Sequence, residues 1–153
     1  SFNLAVTDGK KKSITLNLHP SNLGMHSVVF DYNLGEKGQR HEALTTSLNR
    51  IFSERKIKTC HLLKLDCEGA EYDILFATPK NTLEKINNIV MEYDDSRNIS
   101  RLKKFLEDAG FKTMFYQTLP IPLPNTIKKL YRLKIGKAPM LMAFRPGSGR
   151  KTK

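Results

Sequence analysis

Acidic side chains follow two short apolar runs of the sequence, at the points where strands are expected to end. Asp66 and Glu68 come directly after the run at 62–65. Ligands of open α/β sheets bind outside the carboxyl ends of the strands, because loops and helix N-termini meet there. Carboxylates in that position could take a proton from a hydroxyl or an amine, hold the ammonium group of a cofactor, or bind Mg²⁺. Three further acids follow the run at 89–91, namely Glu92, Asp94 and Asp95.

The same acids also have a purely structural interpretation. A helix is expected from Ala70 to Phe76, and Glu68 and Glu71 could cap its N-terminus, where backbone N–H groups lack partners within the helix. The acids after the second run would then be solvated turn residues. Spacing alone leaves both interpretations open.

Two buried strands and two helices are expected to position these acids. The runs at 62–65 and 89–91 are short and nearly continuous, which is typical of strands covered on both faces. Pro79 prevents the first helix from extending. Two final strands are expected at 111–117 and 140–144. An amphipathic helix closed by Gly110 precedes them, and its apolar positions are Ile99, Leu102, Phe105, Leu106 and Ala109.

The residues before this region predict further strands and one more helix. Residues 3–7 resemble the end of a strand, an Asp-Gly turn follows, and alternating side chains predict a strand at 13–18. A short strand is expected at 28–30, and helical spacing predicts a helix from 47 to about 55. The order of the elements predicts an α/β fold class, in which a sheet has parallel crossovers and its last two strands form an antiparallel pair.

The composition is typical of a soluble globular protein with one domain. The chain has 153 residues, of which 39% are hydrophobic and 27% are charged, and this balance excludes the disordered class. No run approaches the ~20 apolar residues that a membrane-spanning helix needs. No secretory signal is expected, and two cysteines do not make a disulfide framework. A cytoplasmic location is therefore expected.

Positive charge is concentrated near the end of the chain. The formal net charge is +11, and the last 43 residues contain ten Lys and Arg residues and no acid. Four of these bases could contact an anionic lipid surface or nucleic acid, and they are Lys128, Lys129, Arg132 and Lys134. The alternative is a solvated helix or lid packed over the sheet edge. Residues 147–153 are expected to be a disordered basic tail.

Two kinds of metal site are alternatives to an acid–base site. Asp66, Glu68 and Asp94 at adjacent strand ends could chelate Mg²⁺ for phosphoryl-transfer or nuclease chemistry. Alternation along the strand places Cys60 on the face opposite His61 and Cys67, so a zinc site is not expected.

Residues 63–75 carry the most specific motif of the sequence. They run L-K-L-D-C-E-G-A-E-Y-D-I-L and closely resemble the signature of the FkbM family of S-adenosylmethionine-dependent methyltransferases, whose pattern is K-I-D-V-E-G-A-E followed by an apolar Leu. Residues 3–8 are similar to the family's N-x-A-L-S-D strand end, and 109–111 to its late helix-to-strand junction. Residues 45–49 resemble its T-L-D segment, with an asparagine where an acid is usual. The resemblance covers about residues 2–117.

The resemblance implies a Rossmann-like class I methyltransferase sheet and a site built on the motif. Asp66 would end the fourth strand beside the methionine end of S-adenosylmethionine, and Glu68 would face the methyl acceptor. The strand end at Val6, with Asp8, would lie near the adenine. The implied reaction is methyl transfer to a hydroxyl or amine of a small molecule or glycan, typically O-methylation, with Asp66 or Glu68 as candidate base. The family pattern also has a lysine at Lys64, which implies a pair with a neighbouring carboxylate.

One part of the expected cofactor site is missing from these residues. In this fold, a glycine-rich turn after the first strand lets the backbone approach the cofactor. The nine glycines form no G-x-G before a helix, and no β-α-β unit precedes Asn3. Residues 1–146 are therefore expected to be the C-terminal part of a methyltransferase domain whose N-terminal β-α units are missing. We expect this chain alone not to bind S-adenosylmethionine appreciably.

Overall fold

A computed structural model describes residues 3–18, 39–67, 69–93, 99–116 and 139–146 of the protein. Within these ranges, the chain forms seven strands and four helices. The strand expected at 28–30 and the tail expected at 147–153 lie outside the described residues.

The first sheet contains β1 (Ala5–Val6), β2 (Ser13–Leu18) and β3 (Gln39–Thr46) in the order β1-β3-β2. β1 runs parallel to β3, and β2 pairs antiparallel to β3 along its whole length. β2 has the predicted bounds, whereas the sequence does not predict β3. The residues of β3 run Q-R-H-E-A-L-T-T and lack apolar alternation, so the pairing with β2 determines their conformation.

The second sheet contains β4 (Leu63–Leu65), β5 (Asn88–Glu92), β6 (Lys112–Tyr116) and β7 (Met140–Phe144) in the order β4-β5-β7-β6. β4 and β5 are parallel, as expected, and β7 is antiparallel to both of its neighbours. The predicted antiparallel pair of final strands is confirmed. The described strands form two sheets where the sequence predicted one, because β3 pairs with β1 on one side and with β2 on the other.

The helices are α1 (Leu48–Glu54), α2 (Glu71–Phe76), α3 (Lys80–Leu83) and α4 (Ile99–Asp108). α1, α2 and α4 were predicted, and α3 was not. Pro79 ends α2 as expected, but its extended backbone also makes it the N-cap of α3. Among the described residues, no helix is long and apolar enough to span a membrane.

The core lies between the helices and one face of the second sheet. Each fully buried aliphatic side chain contributes about 1.5–3 kcal/mol of transfer free energy to folding. Sheet residues of this core include Leu65, Ile89, Met91, Leu141 and Ala143, and helix residues include Ile74, Leu75, Leu102 and Leu106.

The opposite face of β4 is open at Lys64. Leu65 is buried, whereas the side chain of Lys64 is 62% exposed. The prediction that this strand is covered on both faces is therefore wrong. A three-residue strand with a leucine at each end has an apolar composition even when its middle side chain points to solvent.

Arg145 joins the ends of three elements. Its guanidinium donates to the carbonyl oxygens of Ile86 at 2.9 Å, Ala109 at 2.9 Å and Leu83 at 3.1 Å. It also lies 4.2 Å from the centroid of the Phe111 ring. These contacts tie the segments that follow α3 and α4 to the end of β7.

Gly110 completes this junction after α4. Its φ of +88° lies in the left-handed region that favours glycine, as the predicted helix stop requires. A Cβ atom at this position would lie 2.9 Å from Nη1 of Arg145. Glycine is thus needed both for the turn and for the approach of the guanidinium.

Candidate functional site

The carboxyl ends of β4, β5 and β6 lie at one edge of the second sheet. Leu65 pairs with Met91, which pairs with Leu141 of β7, and Leu141 pairs with Phe115 of β6. Asp66 follows β4 directly, so it lies at the same edge as the end of β5. The structure therefore places Asp66 where the sequence predicted it.

Asp66 forms an ion pair with Lys64. The Nζ of Lys64 lies 2.5 Å from Oδ2 of Asp66, and the two side chains are 62% and 46% exposed. The hydrogen bond with Asp66 raises the pKa of Lys64, and the negative charges of Asp66 and Glu92 add to this effect. Pairing of Lys64 with a neighbouring carboxylate is therefore confirmed. Because the pair is exposed, it contributes only about 0–1 kcal/mol to folding.

The loop after Asp66 is held by Glu71, whose side chain is only 2% exposed. Oε1 of Glu71 accepts from the N–H of Cys67 at 2.5 Å, and Oε2 accepts from the N–H of Gly69 at 2.9 Å. Gly69 has a φ of +102°, where a side chain would be strained. The carboxylate therefore binds amides of the loop before α2, whereas the N-cap residue of the helix, Ala70, has no side-chain hydrogen bond, so the expected capping of the helix by Glu71 is not what the structure shows. The sequence does not mark Glu71 as a site residue, because an acid in the first turn of a helix is its only signal.

An aromatic pair lies at the β5 and β6 end of the same edge. The rings of Tyr93 and Phe115 meet edge to face, with centroids 6.1 Å apart and an interplanar angle of 90°. Tyr93 is further held by its N–H, which donates to the carbonyl of Pro139 at 3.1 Å. Phe115 is 40% exposed, so it offers an apolar surface to a ligand at this edge.

The cysteines do not converge. Cys60 pairs with Ile86 in an isolated bridge before β4, whereas Cys67 follows β4, so the two thiols lie at opposite ends of this strand. Burial raises the pKa of both thiols. Within the described ranges, no group of three His, Cys, Asp or Glu side chains could hold a metal ion. Two of the three carboxylates considered for Mg²⁺, Glu68 and Asp94, lie outside those ranges.

Val6 and Asp8 belong to the first sheet and to the turn after β1. Val6 is partly buried and packs against the core. Asp8 uses both carboxylate oxygens on Lys10: Oδ1 accepts from its N–H at 3.1 Å, and Oδ2 lies 2.8 Å from its Nζ. These hydrogen bonds lower the pKa of Asp8. The hydrogen bond with Asp8 also raises the pKa of Lys10, and the charge of Asp73 in α2 adds a weaker effect.

Several predicted site residues lie outside the part of the chain that the structure describes. Glu68, the second candidate base, falls between two described ranges. Asp95, one of the acids after β5, also lies outside them. The same holds for the basic residues considered for anionic contacts, which are Lys128, Lys129, Arg132 and Lys134.

Fold and site together define a mixed α/β protein with a carboxylate-bearing loop at the ends of parallel strands. A family model described as the methyltransferase FkbM domain matches residues 1–113. The chain therefore belongs to the FkbM methyltransferase family, and the resemblance found at residues 63–75 is confirmed. No curated protein and no solved structure matched the chain.

Proposed function

We propose that the protein transfers a methyl group from S-adenosylmethionine to a hydroxyl of a small molecule or glycan. The observation that carries this proposal is the position of the family motif, whose Asp66 lies at the carboxyl edge of two parallel strands. The antiparallel pairing of β6 with β7 supports a Rossmann-like class I sheet, for which such a final pair was expected.

The residues at this edge fit the methionine end of the cofactor and the acceptor. Asp66 is 46% exposed, and its ion pair with Lys64 engages Oδ2. A carboxylate of this kind can accept a hydrogen bond from an ammonium group or a hydroxyl. When bound, the cofactor supplies a methyl group on a positively charged sulfur.

The adenine end has a weaker fit. Val6 and Asp8 are the proposed contacts, but Lys10 engages both carboxylate oxygens of Asp8. The side chain of Lys10 is 83% exposed, so its ammonium can leave Asp8 at little cost. Binding through Asp8 therefore requires Lys10 to move.

In the proposed reaction, Asp66 or Glu68 accepts the proton of the acceptor hydroxyl at a carboxylate oxygen. The pair with Lys64 orients Asp66 for this step. Phe115, held against Tyr93, packs against an apolar part of the acceptor and excludes water from that side. Most of the rate enhancement comes from holding the acceptor oxygen in line with the methyl group.

A cofactor titration by calorimetry tests this function. We expect no saturable binding of S-adenosylmethionine at micromolar concentration by the 153-residue chain, because its glycines form no G-x-G turn before a helix. We expect binding and methyl transfer by the protein made from the longest open reading frame that contains these residues. In that protein, Asp66→Asn should lower the transfer rate about 100-fold or more.

The matched control is Asp108→Asn, because Asp108 is an exposed acid paired with Lys104 at the end of α4. This change should leave the transfer rate unaltered. Tight binding by the 153-residue chain would refute the need for a glycine-rich turn. Absence of binding by both chains would refute the proposed cofactor.

A second candidate function concerns the basic end of the sequence. Its ten bases without an acid favour a contact with anionic lipid or nucleic acid through Lys128, Lys129, Arg132 and Lys134. Sedimentation with anionic vesicles and titration with an oligonucleotide, each at two salt concentrations, separate the two partners. Binding that does not weaken with salt would contradict an electrostatic contact.

A further inference from the structure

Glu71 is the only charged side chain that is buried in the described part of the chain. Burying a carboxylate is costly unless hydrogen bonds replace its contacts with water. Its two oxygens obtain these bonds from two backbone amides of the motif loop, those of Cys67 and Gly69. The bonds are local, so the carboxylate and the loop form one unit at the start of α2.

The two amides are placed so that they control the backbone around the proposed site. The N–H of Cys67 belongs to the peptide plane that directly follows Asp66, so its direction sets the ψ angle of Asp66. The N–H of Gly69 belongs to the peptide plane between residues 68 and 69, and the φ of Gly69 is +102°. Holding both planes therefore fixes the course of the chain after Asp66, and since β4 holds the chain before it, the backbone of Asp66 is held on both sides.

We infer that Glu71 is the positioning residue of this site, and that its carboxylate holds Asp66 toward the ligand by binding the amides of Cys67 and Gly69. The role of Asp66 as a reactive group rests on the proposed function, whereas the binding of the two loop amides by Glu71 does not. Glu71 itself is buried, so its carboxylate is not exposed to a ligand.

A carboxylate is required at this position, because the two amides use different oxygens of the same group. Glutamine has one carbonyl oxygen and one NH₂ group, which is a donor and cannot accept from an N–H. Glu71→Gln therefore has nearly the same shape but can satisfy only one amide. The other amide is left facing a donor, so the loop must move.

Lys64 provides a reporter of the position of Asp66. Its pKa is raised first by the hydrogen bond with Asp66 and then by the charge of Asp66, with smaller effects from Glu92 and Cys67. If Asp66 turns away, the hydrogen bond is lost and the pKa of Lys64 moves back toward its ordinary value. This reporter requires neither cofactor nor acceptor.

The experiment is an NMR comparison of the wild-type chain with Glu71→Gln, Asp66→Asn and Asp73→Asn. Asp73 is the matched control, because it is an exposed acid in the same first turn of α2. In Glu71→Gln, the amide of Cys67 or Gly69 should exchange with solvent at least about tenfold faster than in wild type. The pKa of Lys64 should move to the value found in Asp66→Asn, and Asp73→Asn should change neither property.

Two results would overturn the inference. One is an unchanged pKa of Lys64 in Glu71→Gln, since Asp66 would then keep its position without the carboxylate. The other is measurable even if Glu71→Gln does not fold: the wild-type chain should show scalar couplings across the hydrogen bonds from the Cys67 and Gly69 amides to the side-chain carboxyl carbon of Glu71. Absence of both couplings refutes the hold on the loop. None of these measurements involves methyl transfer, so failure of the proposed function would leave them unaffected.

Discussion

Replacing Arg145 with lysine should destabilise the protein although the positive charge is kept. The guanidinium donates at once to carbonyl oxygens of Leu83, Ile86 and Ala109 and packs on the ring of Phe111. A lysine ammonium is a compact point charge and cannot span three acceptors arranged around a planar fork.

The expected magnitude follows from the contacts that are lost. Lysine can keep one of the three hydrogen bonds, and each of the other two is worth about 1–1.5 kcal/mol at this half-buried position. Loss of the contact with Phe111 adds about 0.5 kcal/mol. We expect Arg145→Lys to lower the free energy of unfolding by about 3 kcal/mol. With a urea m-value of about 2 kcal/mol/M, the unfolding midpoint should fall by about 1.5 M.

Urea unfolding followed by circular dichroism measures this change. The matched control is Arg50→Lys, because Arg50 forms an exposed pair with Glu54, whose side chains are 66% and 54% exposed. The control should leave the unfolding midpoint unaltered, because exposed ion pairs contribute little to stability. If Arg145→Lys lowers the free energy of unfolding by less than about 1 kcal/mol, or if both variants lower it equally, the proposed role of the Arg145 guanidinium is refuted.

Three further predictions concern the turn after β1, the contact between α1 and α3, and the motif loop. Lys10→Ala should raise the pKa of Asp8 toward its ordinary value, because it removes the side-chain hydrogen bond that lowers this pKa most and keeps the backbone one. The lowered pKa stabilises the fold above about pH 3.8, and that stability is lost as the pH falls through the folded pKa. Acid unfolding should therefore start at higher pH in the variant, and an unchanged Asp8 titration by NMR would contradict this. The buried hydroxyl of Thr82 donates to Oδ1 of Asn49 at 2.8 Å, and a carboxylate oxygen can accept in its place. Asn49→Asp should therefore be tolerated within about 1 kcal/mol, whereas Asn49→Leu should cost about 1–2 kcal/mol. Equal losses of the two variants in thermal unfolding would be inconsistent with that hydrogen bond. Gly69→Ala should cost about 1–3 kcal/mol because of the φ of +102°, and an unaltered urea midpoint would rule out strain at this residue.

The parts of the fold that the sequence predicts are those whose pattern is complete within the element. β2 alternates along six residues, and α4 has a continuous apolar stripe and a closing glycine, so both were predicted with nearly their observed bounds. β3 has no such pattern, because its conformation depends on a partner more than twenty residues away. α3 has only four residues, too few to show a helical period.

The candidate site likewise has parts that the sequence predicts and parts that it does not. Asp66 could be placed from the sequence, since an acid after an apolar run falls at the carboxyl edge of a parallel sheet. The exposure of Lys64 could not, because three residues do not reveal which face is covered. The role of Glu71 depends on a loop whose backbone has a positive φ at Gly69, which lets the amides of residues 67 and 69 face the carboxylate. No periodicity in the sequence indicates this loop conformation.

The position of β7 in the second sheet has a consequence for how the protein is made. β7 lies between β5 and β6, although it follows both in the chain by more than twenty residues. During synthesis, β5 and β6 are therefore both finished while the strand that separates them does not yet exist, and each presents an unpaired edge at that stage. The family match ends at residue 113, before this strand. A chain stopped before residue 139 would lose the middle of this sheet and not one of its outer strands. β5, the neighbour of the strand that Asp66 follows, is therefore paired on both sides only after translation has passed this point.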